Sequence, residues 1–257
     1  MTSAPAPVPY MPLFYNRVVM LDRHVHARMR FRPPEEYSFA ASATMVPVLG
    51  AEFAPVAREY PIVFMSEDQG KTFFPVALTG MPQGKNLFVD EKGLWSARYM
   101  PAYVRRYPFV FAETSPDQFA VCIDPSSNCL DETRGTPLFE SNGEPSAAMQ
   151  DTVKRLGDYQ RAMLLTRAFM EKLAAANVLM EANAKADLPD GRSMVWRGFW
   201  TVDETRFREL PEATLKEWFA SGELGLIYAH LISLGNLGEL LRRHTVNSPP
   251  PPPPTQQ

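Results

Sequence analysis

Few residues of this chain have the types and spacing to do chemistry, and they are scattered. Asp22, His24 and His26 form an Asp-x-His-x-His run, whose alternation would put three ligating side chains on one face of a strand. Two imidazoles and a carboxylate still need an orienting second shell to hold a metal, so a solvated or hydrogen-bonded strand face is the plainer reading and no metal is assigned. Cys122 lies in the apolar run Gln118 to Asp124 without basic neighbours, which describes a small core residue rather than a nucleophile. Arg105-Arg106, flanked by Tyr103 and Tyr107, offers planar cations to an anionic ligand, against the alternative of a solvated helix face. Trp196 and Trp200 should lie on the same face of a strand, where they would pack against a helix or present a ligand or peptide platform. His230 falls inside a leucine-rich helical pattern and reads as a packed, hydrogen-bonded residue.

The candidate ligand- or partner-binding residues are therefore His26, Tyr103, Arg105, Arg106, Tyr107, Trp196, Trp200 and His230. None is assigned a catalytic role. Gly80-Met-Pro-Gln-Gly84-Lys85-Asn86 is one residue short of a phosphate-binding loop and ends in Asn, which cannot supply the magnesium-binding hydroxyl. No nucleophile elbow, paired-histidine zinc helix or dinucleotide glycine fingerprint occurs, so no cofactor is implied.

These residues must be positioned by recognisable elements. Ile62 to Met65, Phe73 to Leu78 and Asn86 to Asp90 are β-branched and aromatic runs separated by turn-forming stretches, which predicts an antiparallel meander. Tyr99 to Tyr107 reads as a short helix ending before Pro108, and Phe109 to Glu113 and Gln118 to Asp124 read as strands. Val18 to Leu21 can form a strand, and Asp22 to Arg32 has a strand-like alternation. Pro125 to Pro145 reads as a long connection with a short strand around Leu138-Phe139.

From Ala147 to Asn177 apolar residues recur at helical spacing. Leu179 to Leu188 and Ser193 to Val202 then form a hairpin across Pro189-Asp-Gly-Arg192. Asp203 caps a short helix, and a second helix starts at Pro211 and stops near Gly222. A last apolar helix covers Leu224 to Leu241. Strands first and amphipathic helices after predict an α+β fold, with residues 60 to 124 forming most of one antiparallel sheet under the helices.

Tyr60-Pro-Ile-Val-Phe64, Phe74-Pro-Val-Ala-Leu78, Asn86-Leu-Phe-Val89, Tyr103-Val-Arg-Arg-Tyr-Pro-Phe109 and Tyr228-Ala-His-Leu231 occur in the order in which the SapC family carries similar motifs. The chain resembles that family, bacterial proteins named from surface-layer loci, over roughly residues 13 to 243. His26 sits where the resemblance places a histidine. The resemblance implies an association with surface-layer protein export or the cell envelope and supplies no catalytic residues.

Composition narrows the partners. At 257 residues and 45% hydrophobic content the chain can bury a sizeable core, and residues 13–246 are read as one domain between a Pro-rich arm, 1–12, and a polyproline tail, 247–257. A net charge of −3 gives no general attraction to nucleic acid. Two cysteines do not make a disulfide framework, and the opening residues lack a basic and then apolar leader, so the expected location is cytoplasmic. No apolar run reads as long enough to span a membrane.

Together these readings describe a non-catalytic accessory protein that binds a protein or peptide partner of the surface-layer or envelope export system. The alternative is an enzyme or enzyme partner whose pocket brings together His26, His230 and Arg105-Arg106. Six successive prolines, Pro249 to Pro254, favour an extended polyproline segment without ladder bonds or core burial. A chain ending at Asn247 is therefore expected to melt at nearly the temperature of the full-length protein; a large drop would show that the tail packs on the domain.

Overall fold

The computed structural model describes residues 11–82, 84–116, 118–187 and 193–247. In chain order the first elements are β1 (Val19–Met20), β2 (Arg30–Phe31), β3 (Met45–Pro47), α1 (Phe53–Val56), β4 (Ile62–Met65), β5 (Phe74–Leu78), α2 (Ala102–Arg105), β6 (Phe109–Ser115) and β7 (Gln118–Ile123). After them come β8 (Leu130–Asp131), β9 (Thr136–Pro137), α3 (Ala147–Ala175), β10 (Leu179–Asp187), β11 (Ser193–Val202), α4 (Glu204–Arg208), α5 (Glu212–Ser221), α6 (Glu223–Ser233) and α7 (Leu237–Asn247). The arm up to residue 10, the hairpin turn and the polyproline run lie outside the described residues.

The fold is α+β with open antiparallel sheets, divided differently from the single meander expected. β4 and β5 pair as predicted, from Ile62 opposite Ala77 to Met65 opposite Phe74. Asn86 to Asp90 does not follow as a third strand. Its side-chain amide competes with the ladder: Asn86 Oδ1 accepts from Phe88 N–H at 2.9 Å and its Nδ2 donates to Ala40 O at 3.1 Å, leaving only isolated bridges to Gly80 and from Val89 to Trp95. The place beside β5 that it would have filled is taken by β3, and β11 pairs with the other edge of β4, giving a five-stranded sheet in the order β10-β11-β4-β5-β3. β6 and β7 join β1 in a second sheet, so residues 60–124 are shared between two sheets.

Asp22 to Arg32 forms a turn instead of the strand its alternation predicts. Asp22 Oδ1 accepts the backbone N–H of His24 (2.7 Å) and Val25 (3.0 Å), a local closure that outcompetes extension. Only Arg30–Phe31 remains as strand, between β8 and β9 in a third small sheet. The loop at Gly80 is likewise structural: a Cβ there would stand 2.1 Å from the Lys85 carbonyl oxygen, so glycine is required for the chain to cross itself.

A bulge also overturns the expectation that the two tryptophans share a face. Between Ala182 and Ala184 of β10 the register on β11 runs from Phe199 to Trp196, so β11 carries one extra residue, and Gly198 adopts φ 74°. The insertion inverts the alternation beyond it. Trp196 therefore falls on the side of Phe199, and both are buried in the main core, while Trp200 packs edge-on against Phe73 at 5.1 Å.

α3 begins at Ser146, whose hydroxyl accepts from Met149 N–H at 3.2 Å. Its first half buries Met149 and Leu156 with Phe109 and Ile123 of the second sheet. Its second half buries Phe169, Met170 and Leu173 in the main core. The single helix predicted at the C-terminus is divided by a 3₁₀ turn, Leu234–Asn236. There Asn236 Nδ2 donates to the carbonyls of Ala57 (2.8 Å) and Tyr60 (3.2 Å). By length and composition the stretch Glu223–Val246 is long and apolar enough to cross a membrane, contrary to the sequence reading; within it Ile227, His230, Ser233 and Leu240 are buried in the protein, while Tyr228, Ile232 and Val246 are exposed.

His230 is 0% exposed and stacks on Phe64 with 4.4 Å between ring centroids. Its Nδ1–H donates to Ile62 O (2.9 Å), while Nε2 accepts from Val202 N–H (3.2 Å) and the Thr201 hydroxyl (2.9 Å). These partners assign the neutral tautomer, because a proton on Nε2 would face the Val202 N–H. Burial pushes the His230 pKa down to about 4 from 6.5. A depressed histidine pKa contributes stability that is present above pH 6.5 and is lost as the pH falls towards 4, amounting to about 3 kcal/mol over the whole window. Urea unfolding between about pH 6.5 and 5, above the carboxylate range, is expected to show stability falling with acidity. The slope should flatten in His230→Gln; an unchanged slope in that variant would refute the assignment.

Candidate functional site

α2 is a single helical turn whose place is set by a buried carboxylate. Glu52 Oε1 accepts from Ala102 N–H (2.6 Å) and the Tyr99 hydroxyl (2.7 Å), and Oε2 accepts from Leu49 N–H (3.1 Å). Besides these three donors, Glu52 is ion-paired with Arg105 at 3.7 Å. The turn then projects Tyr103, Arg105, Arg106 and Tyr107 in different directions. Tyr107 is buried and stacks on Phe39 at 4.2 Å. Arg105 lies over the Tyr99 ring at 5.6 Å and donates to Met100 O (2.9 Å) and the Tyr99 hydroxyl (3.2 Å).

Arg106 is placed differently. Its guanidinium lies 4.0 Å from the Tyr103 ring centroid and 4.6 Å from that of Tyr159, which comes from the middle of α3. No carboxylate among the described residues is within ion-pair distance of it, and its Nε is buried with no hydrogen-bond partner. Two cation–π contacts contribute about 0.5–2 kcal/mol each, and a buried unpaired donor costs about 1–3 kcal/mol, so the two effects nearly cancel. Burial pushes the Tyr159 phenol up to about 12, with Arg106 pulling the other way.

Arg105, Arg106 and Tyr107 open on a cleft of about 320 Å³ beneath the middle of α3, also lined by Phe31, Leu49, Phe109, Arg155, Leu156, Asp158, Tyr159 and Ala162. The cleft lies where α3 passes from one core to the other, with Tyr159 packed against the cluster of Ala43, Val46, Tyr103 and Val104. Asp158 is ion-paired with Arg161, and Arg155 donates to the Thr152 hydroxyl at 2.8 Å. A wider groove of about 630 Å³ runs past Arg32, Tyr107, Cys129 and Arg134, but its arginines are paired with Glu35 and Asp131, each at 3.1 Å. The smaller cleft thus combines apolar walls with an unmatched cation.

The remaining candidates lie elsewhere. The His26 N–H donates to Asp22 O at 2.8 Å and its Nδ1 lies 3.0 Å from Asp22 N, so the ring closes its own turn. Among the described residues no group of three His, Cys, Asp or Glu side chains is placed to hold a metal ion. His230 has every ring nitrogen engaged inside the core, and neither histidine lines the cleft. Trp196 is buried and Trp200 is partly covered by Phe73, so the pair presents no common platform. Cys122 and Cys129 are free and buried, and burial pushes both thiols up, away from nucleophilic behaviour.

Tyr159, Arg155 and Phe31 were not singled out by their sequence context. Tyr159 stands three residues after Leu156, a helical spacing that puts it near the buried face, and this was the one signal available. A family model described as SapC matches residues 21–240. No curated protein and no solved structure matches the chain.

The near-cancellation at Arg106 sets a stability expectation. Arg106→Leu is expected to change unfolding free energy by less than about 1 kcal/mol, whereas Glu52→Ala, which strands two backbone N–H groups, should cost about 2 kcal/mol or more. Chemical denaturation checks both; a loss of about 3 kcal/mol in Arg106→Leu would make that arginine a structural residue.

Proposed function

The chain belongs to the SapC family, and from that premise we propose that it is a non-catalytic accessory protein of a surface-layer or cell-envelope export system. In this reading it works in the cytoplasm and holds a protein or peptide partner at the cleft beneath α3. The observation that carries the reading is the state of Arg106: a cation packed against the rings of Tyr103 and Tyr159, with no carboxylate among the described residues at ion-pair distance, at the edge of a partly apolar cleft. Paired arginines stabilise a fold, and an arginine left unmatched in a concave site is available to a ligand.

The enzyme alternative required His26 and His230 to meet Arg105-Arg106 in one pocket. One imidazole is tied to its own turn and the other is sealed in the core, so the acid–base groups it needs are not at the cleft. An accessory role needs only a shaped, charged surface, which this site has.

Affinity capture from native cytosol with mass spectrometry tests the reading. The full-length protein is expected to enrich an envelope or export component over a scrambled-surface control, and Arg106→Leu is expected to lose it while retaining its fold. Enrichment of no such component, or equal enrichment by Arg106→Leu, would overturn the proposal.

A further inference from the structure

The chemistry of the cleft specifies what it holds, given that it is a binding site as proposed above. Three cations line it, Arg105, Arg106 and Arg155. The acids nearby are already engaged: Asp158 by Arg161, and Glu52 by two backbone N–H groups and the Tyr99 hydroxyl. Arg105 is the cation closest to Glu52. Arg106 and Arg155 therefore supply the unmatched charge.

Around them stand Phe31, Leu49, Phe109, Leu156 and Ala162, an apolar wall that disfavours a strongly hydrated dianion. No helix of useful length ends in the cleft to offer backbone N–H groups to phosphate, since α2 has only four residues. A guanidinium held against two tyrosine rings suits a planar monoanion, because its fork matches both oxygens of a carboxylate. The volume of about 320 Å³ is at the lower end for small-molecule sites, enough for a compact body.

We infer that the cleft binds a carboxylate carried on a compact apolar body, the charge meeting Arg106 and Arg155 and the body lying against Phe31, Leu156 and Ala162. Two sources share this chemistry: a free organic acid, and the C-terminal residue of a peptide. Packing the body against the wall removes water from around the ion pair, which raises its Coulomb attraction against the cost of desolvating the carboxylate.

Calorimetric titration of the full-length protein tests the inference with four probes: N-acetyl-leucine, its amide, and a short peptide ending in leucine with a free or an amidated C-terminus. Both acids are expected to bind about tenfold or more tighter than their amides, and Arg106→Gln to weaken the acids by a similar factor. Ala162→Phe should abolish binding by filling the cleft, and Arg155→Gln should weaken it several-fold. These two variants keep the test decisive if Arg106→Gln fails to fold. The peptide acid binding well above N-acetyl-leucine identifies a chain terminus as the ligand; equal affinities identify a free acid. Equal binding of acid and amide, no binding of either acid, or acid binding unchanged in both Ala162→Phe and Arg155→Gln would overturn the inference. Acid binding that depends on Arg106, with partner capture that does not, would uphold the inference and remove the partner reading. Capture that depends on Arg106 without acid binding would do the reverse.

Discussion

His230 joins the C-terminal helices to the main sheet, and a neutral imidazole is what makes the join possible. One ring nitrogen donates to β4 through Ile62 O, the other accepts from β11 through Val202 N–H and the Thr201 hydroxyl, and the ring face covers Phe64. One turn further on, the Ser233 hydroxyl accepts from Ile62 N–H at 2.9 Å and donates to His230 O at 2.6 Å. Both backbone groups of Ile62 are thus satisfied by side chains of α6, where β4 and β11 share a single paired position, Trp200 with Phe64. A leucine at 230 would keep the apolar burial and strand three polar groups. The sheet order therefore depends on donors and acceptors as much as on apolar area.

The same join bears on the candidate site at a distance. With β11, β4 and the C-terminal helices locked together, the second half of α3 has a fixed core to enter through Phe169, Met170 and Leu173. Its first half is anchored on the other sheet through Met149 and Leu156. Between these anchors Tyr159 and Ala162 line the cleft, Tyr159 also packing against Tyr103 and its neighbours. Glu52 sets the opposite wall by fixing where α2 begins. The position of Arg106 is thus a product of two cores, one buried acid and a one-turn helix.

The groups that fix the wall of the cleft differ from the cation turned towards it. The contacts that fix the wall are hydrogen bonds to Glu52, while the group turned towards the cleft, Arg106, is held by ring faces and has an unsatisfied donor. Such an imbalance calls for an explanation, and the ligand proposed above is one that would relieve it. The two histidines show the opposite condition, with their ring contacts supplied from within the chain.

The sequence by itself determined the elements whose signals are local. The β4–β5 pairing follows from two β-branched runs around a turn, α3 from a sustained helical period, the cap at Asp203 from its side chain accepting Thr205 N–H (2.9 Å), and the buried character of His230 from its leucine-rich neighbours. Tertiary structure decided whatever depends on partners distant in the chain. Asn86 left the sheet because its amide found Ala40 O, forty-six residues away, and the edge of β5 that a third meander strand would have taken is occupied by β3, while β11 pairs with the other side of β4. Trp196 and Trp200 parted because one extra residue at a bulge reverses every side chain beyond it, a shift invisible to a count of two. The cleft is the extreme case. Arg106 and Tyr103 are neighbours in sequence, but the unmatched cation between apolar walls arises only when α3 brings Tyr159 and Arg155 across from another core, and no local period encodes that meeting.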